Sequence, residues 1–242
     1  MLMSGWMEIK EELRQRQRDF DGESARRIAG YEGRGGRVFC GRGCRACCTL
    51  TVDCGIGEAL LVAEALSAAQ GRTLDGYVER LRELLPTVAD LKAYLRMQRR
   101  ELGDCPFLDA DGACGVYAVR PFACRALFST RPADWCGVDF GELPAIEKQL
   151  FMAGLDRAVV DFPTHYLAEP RESARELEGA GMAAMERAFG FSLAGNLPYL
   201  VWLERHYALS QRCAEGDAAV TAMLEKEGLK LPYVMHLGKA PA

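Results

Sequence analysis

Histidine is scarce in this chain, with three among 242 residues. That leaves little room for a histidine-rich metal site. No Ser/His/Asp or Cys/His catalytic set, phosphate-binding loop or dinucleotide-binding glycine pattern can be read either. Long apolar runs are missing too; none approaches the ~20 residues a membrane span needs. The opening Met-Leu-Met-Ser-Gly-Trp runs straight into Glu8-Ile9-Lys10-Glu11-Glu12, without the apolar core of a secretion signal. The expectation is therefore a cytoplasmic protein with no membrane partner. No charge of one sign dominates: the net charge is −4 and the pI about 5.6. Nucleic acid and anionic lipid are not expected partners. Arginines do crowd the first forty residues, but acids interleave with them, as on a solvated helix face.

Cysteine is what the chain has in excess, with ten residues. In a reducing compartment this favours metal chemistry over disulfides. Eight of the ten fall into two groups. The first is Cys40-Gly-Arg-Gly-Cys44-Arg-Ala-Cys47-Cys48, in which Cys44-x-x-Cys47 lets a tight turn aim two sulfurs at one ion. Neighbouring side chains normally diverge, so Cys47 and Cys48 are not expected to chelate one ion together. Two centres, a polynuclear centre or one spare thiol each explain the pair. The second group is Cys105, Cys114, Cys124 and Cys136. Here Cys105-Pro-Phe-Leu, Asp-Ala-Asp-Gly and Ala-Cys114-Gly-Val-Tyr read as strand, turn, strand. With 109–112 as the turn, Leu108 faces Ala113 and Phe107 faces Cys114. Cys105 and Cys114 then form a diagonal pair roughly 7–8 Å apart. Asp109 and Asp111 resemble the opening of a calcium loop whose other ligands are missing. Cys54 and Cys213 read as buried apolar residues. His165, His206 and His236 lie far from the cluster in sequence and read as core or surface residues.

The rest of the chain is helical in pattern. Trp6, Ile9, Leu13 and Phe20 share a face of a first helix, and a loop with six glycines follows over 30–43. Ala59, Val62, Leu66 and Ala69 mark a helix ending near Gly71. Thr73 is the expected cap of the next, with Leu74, Val78, Leu81 and Leu85 as its stripe and Pro86 as its stop. Val88, Leu91, Leu95 and Leu102 continue the period, and helices are expected over 146–160, 173–189, 197–209 and 218–227. The fold class is mainly α, with irregular cysteine-rich segments and a short β-hairpin near 105–117. Three parts are expected: an N-terminal helix and glycine-rich lead-in over 1–37, a metal-binding domain over 38–142, and a helical extension over 143–242.

The ordered motif Cys40-x3-Cys44-x2-Cys47-Cys48, Cys105-Pro-Phe-Leu, Cys114-x-Val-Tyr-x-x-Arg120-Pro121-x-x-Cys124-Arg125 resembles the YkgJ-type cysteine-cluster family. The resemblance covers about 38–136 and implies a zinc- or iron-chelating domain. The gap after Cys40 has three residues where two are commoner. The same pattern is similar to the cysteine-rich segment of flagellin lysine-N-methylases, which opens a protein- or peptide-modifying activity without establishing one. Cys40-x3-Cys44-x2-Cys47 also has the spacing of radical S-adenosylmethionine enzymes. However, Ala46 stands where an aromatic is usual, and no strand–helix alternation surrounds it.

The residues thus point to a metal-binding protein holding an iron–sulfur centre or zinc on Cys40, Cys44, Cys47, Cys48, Cys105, Cys114, Cys124 and Cys136. Thiolates in number favour iron, whereas paired C-x-x-C-like elements also build structural zinc sites. Arg120 and Arg125 are candidates to offset the thiolates' charge. The remaining alternative is a zinc-stapled interaction module whose C-terminal helices meet a protein partner or substrate. Catalysis and catalytic residues stay open.

Overall fold

The computed structural model describes residues 2–239. Among them are ten α-helices and a three-stranded antiparallel sheet, a mainly α architecture. Helix α1, Leu2–Gly33, runs past Gly30 into the expected loop. Its buried face carries Trp6, Ile9, Leu13 and Phe20, the spacing read from sequence. Its outer face is laced by ion pairs of i,i+4 type, Arg16–Glu12 at 2.6 Å and Arg27–Glu23 at 2.5 Å.

The next two helices divide differently from expectation. Helix α2 is Ile56–Ala65 and α3 is Ala68–Leu84, with the break at Leu66–Ser67 rather than near Gly71. The reason is a capping box. The Ser67 side chain accepts from Gln70 N, and the Gln70 side chain accepts from Ser67 N. Thr73, the expected cap, lies inside α3 and donates to Ala69 O at 3.3 Å. Gly71 stays helical where the Arg205 guanidinium lies over it, leaving no room for a Cβ. The stripe Leu74, Val78, Leu81 and Leu85 is buried as expected.

Helix α4, Leu91–Met97, continues as a π turn through Gln98–Leu102. Its buried face is Tyr94, Met97 and Gln98, whereas Leu91 and Leu95 are 56% and 48% exposed. The expected stripe was therefore out of phase. Asp90 caps the helix, accepting from Ala93 N at 2.7 Å, and the covering core, not the apolar period, turns Tyr94 and Gln98 inward.

The remaining helices are α5 (Phe122–Arg125), α6 (Ala145–Ala153), α7 (Ala168–Phe189), α8 (Leu197–Tyr207), α9 (Leu209–Glu215) and α10 (Asp217–Lys226). Strands β1 (Asp53–Gly55), β2 (Phe191–Asn196) and β3 (Met235–Lys239) form the sheet, with β2 in the middle. The sequence reading missed it. β2 is buried almost throughout and so lacks the alternation that marks a half-exposed strand. Asn196 ends β2 and caps α8, accepting from Tyr199 N at 3.1 Å. α8 packs on α2 and α3, and α1 packs on α2 and α7. Buried residues from Trp6 to Val234 join one core cluster. A smaller cluster of Phe151, Leu155 and Val160 takes in Trp135 and Phe140. No helix among the described residues is long and apolar enough to cross a membrane.

Candidate metal centre

The first cysteine group sits on two tight turns. Gly43 has φ +81°, a conformation open to glycine, and lets Cys44 N donate to Gly41 O at 3.1 Å. A single 3-10 turn, Ala46–Thr49, then carries Cys47 and Cys48. Cys48 is the main influence holding the Cys47 thiol protonated.

The second group is anchored from the core. Cys105 N donates to Cys48 O at 2.9 Å, tying the two groups together. The expected hairpin is reduced to one antiparallel bridge, Leu108↔Cys114, with Gly115 N donating to Phe107 O and Asp109 N to Ala113 O. The register differs by one residue from expectation because the turn takes five residues, with Gly112 at φ +79°.

Helix α5, which carries Cys124, is held at its start by Glu58 of α2. That buried carboxylate accepts from Phe122 N at 2.8 Å. Burial pushes Glu58 up to about 7. Arg125 is 2% exposed and donates to Arg120 O at 2.7 Å, Ala118 O at 2.5 Å and Gln17 Oε1 at 3.2 Å, and it pairs with Asp21. It thereby bolts the second group to α1. Arg120 instead faces the sulfurs, and its charge pulls Cys47, Cys114 and Cys124 toward ionisation. It also stacks on Tyr117 at 3.5 Å.

Cys40, Cys44, Cys47, Cys48, Cys105, Cys114 and Cys124 line one cavity of about 420 Å³, whose far wall includes Tyr77, Gln98 and Asn196. Burial raises the thiols, Cys40 to about 11 and Cys105 to about 12, and Cys124 well above the ordinary value. Neighbouring sulfurs add to each rise, and Cys47 is such a neighbour for both groups. A crowded set of soft donors that cannot all ionise unaided fits zinc or an iron–sulfur cluster, whose charge would replace the protons. Among the described residues, no three Cys, His, Asp or Glu side chains are drawn together tightly enough to hold an ion as they stand. The sulfurs share a cavity rather than a closed polyhedron.

Cys136 lies outside that lining, buried at 6% exposure, but within electrostatic reach of Cys44 and Cys47. Its thiol meets His165 Nε2 at 3.3 Å. Burial lowers His165 to about 4, so its ring is neutral. The sequence reading set His165 aside; 29 residues separate it from Cys136, and no local pattern links them. His206 pairs with Asp75 at 2.7 Å on the surface. Cys54 and Cys213 are buried in the main core.

Fold and cavity together define a helical protein built around a cysteine-lined site. Residues 39–139 match the model of the CxxCxxCC family, described as a putative zinc- or iron-chelating domain. The match is confined to this stretch, and it supports metal binding in general. No curated protein and no solved structure matches the chain.

Proposed function

We propose that this protein holds an iron–sulfur centre or zinc on thiolates from both cysteine groups, with Cys40, Cys44, Cys47, Cys48, Cys105, Cys114, Cys124 and Cys136 as donors. The observation that carries the reading is the single cavity lined by seven of them. Arg120 is the cation that balances the thiolates, and Arg125 acts on them only by holding the wall. The bound metal would supply charge and, if iron, electron transfer. Residues 38–142 are the metal-binding unit in this reading, with 1–37 and 143–242 packed around it. The cytoplasm is the proposed compartment, since all ten cysteines are free thiols. Visible absorbance and elemental analysis of anaerobically purified protein test the proposal. Brown colour with iron and sulfide supports a cluster, colourless protein with stoichiometric zinc removes the iron version, and protein without metal removes the reading.

Two observations support further roles. The cavity volume falls within the range of small-molecule pockets, which suits a protein- or peptide-modifying enzyme. Methyl transfer from S-adenosylmethionine to lysine peptides would be its signature, and metal-loaded protein without that activity argues against it. Helix α6 exposes Ile146 and Leu150 at 61% and 66%, a surface suited to a protein partner. Because α7 and α8 belong to the core, truncation would unfold the chain. Leu150→Glu is the cleaner test, and a captured partner that survives it would not bind through α6.

A further inference from the structure

The cavity accounts for seven of the eight clustered cysteines, and Cys136 stands apart beside a histidine. Both residues of that pair are nearly inaccessible, at 6% and 4% exposure. A Cys–His pair also activates thiol nucleophiles, but this one is too buried to meet a substrate. Its geometry suits another role. With Zn–S near 2.3 Å and Zn–N near 2.05 Å, two ligands of a tetrahedral zinc stand about 3.5 Å apart. Cys136 Sγ and His165 Nε2 are 3.3 Å apart.

The ring is also held in place. Phe151 meets it edge-on at 5.7 Å, and Tyr166 lies against it at 4.4 Å. Its backbone is fixed by Thr130, whose N–H and hydroxyl both donate to His165 O at 2.9 Å.

Further sulfurs lie close by through a ladder of three extended segments. Phe39 N donates to Ser129 O at 2.9 Å, and Leu167 N donates to Phe128 O at 3.0 Å. Ser129 N donates to Cys40 Sγ at 3.2 Å. The 127–131 segment therefore lies between Cys40 on one side and His165 on the other. The 3-10 turn of Cys136, Ala133–Cys136, packs directly on the turn of Cys47 and Cys48. Cys44, on the turn preceding it, is an electrostatic neighbour of both Cys40 and Cys136.

We propose that His165, Cys136, Cys40 and Cys44, which do not enclose an ion as they stand, close around zinc from the preformed Cys136–His165 pair to make a second metal centre, a Cys3His site beside the sulfurs of Cys47, Cys48, Cys105, Cys114 and Cys124. The proposal rests on the metal-binding reading above and divides its donors between two centres. One imidazole and three thiolates form a donor set typical of structural zinc. By spanning 40–44, 136 and 165, this centre joins the cysteine domain to the chain beyond residue 143.

The test is X-ray absorption and cobalt-substituted optical spectra of the full chain, loaded with zinc or cobalt after metal removal. The expected result is one imidazole nitrogen among sulfur donors. His165→Ala should lose that nitrogen and one bound ion per chain, His165→Cys should regain the ion on sulfur alone, and His206→Ala should change nothing. The wild-type spectrum decides the matter even if His165→Ala fails to fold. Ions held by sulfur alone in the wild type would overturn this centre and leave the metal-binding reading intact. A wild-type chain that binds no ion would overturn both.

Discussion

The two cysteine arms are built on opposite principles. The 40–48 arm is a glycine-rich loop whose 3-10 turn has no buried residue, and Cys44 is an exposed residue. The 105–125 arm rests on Phe107, Val116, Phe122 and Arg125, all nearly inaccessible. Between the arms run the Cys105–Cys48 backbone hydrogen bond and the exposed pairs Arg45–Asp104 at 3.3 Å and Arg42–Asp111 at 3.9 Å. Such exposed pairs contribute well under ~1 kcal/mol each. One arm is thus shaped by the core, while the other has few contacts with it beyond these links, so in the proposed metal-bound protein it is the arm expected to rely on the metal.

Metal removal is the strongest way to break this comparison. Binding free energy in small zinc modules is on the order of ten kcal/mol, most of a domain's stability margin. Hydrogen exchange with and without chelator should show Cys44, Cys48 and Leu50 amides losing protection first, with Val119 and Ala126 retaining more. Equal losses in both arms would contradict the asymmetry. Cys44→Ser and Cys114→Ser should each reduce bound metal, whereas Cys213→Ser, at a core position, should not; elemental analysis of the three decides it.

Arg125→Ala attacks the other arm. It strands Asp21, Gln17 and two carbonyls without their donor. Asp21 is half exposed and stays solvated, so the cost comes mainly from the unpaired buried acceptors, roughly 2–3 kcal/mol, visible in denaturant melts of metal-free and loaded protein alike. A loss confined to the loaded form would mean Arg125 serves the metal rather than the wall.

Glu58 gives the same arm a pH dependence. Its carboxyl is raised to about 7 from 4.5 by burial, so the folded state favours the neutral acid. Stability from this group is full below the unfolded value, falls as pH rises from there, and levels off above about 7. The total is roughly 3 kcal/mol. Glu58→Gln should therefore match wild type near pH 4 and exceed it at pH 8. Parallel pH profiles for the two proteins would refute this. Ser67→Ala is the mildest probe. Losing the capping box costs about 1 kcal/mol and frees Gln70, which donates to Asp109 Oδ1 at 3.3 Å in the 109–113 turn. Faster exchange at the Gly112 amide, with metal content unchanged, is the expected reading.

Local periodicity and spacing were enough for several features. The face of Trp6, Ile9, Leu13 and Phe20 and the stripe from Leu74 to Leu85 follow from helical repeat alone, because apolar side chains at that period must find a core. The cysteine spacing pointed to the stretch that matches the CxxCxxCC model, because a chelating turn is itself local. Features set by partners distant in sequence were not legible. The phase of α4 depends on what covers Tyr94 and Gln98, and the strand character of β2 on β1 and β3, far away on either side of it in the chain. The role of Arg125 depends on α1, more than a hundred residues earlier. Cys136 and His165 are joined only by the folding of 127–167 back across the first arm. A single histidine carries no periodic or spacing signal. Its chemistry is decided by which sulfur the tertiary structure sets against its ring.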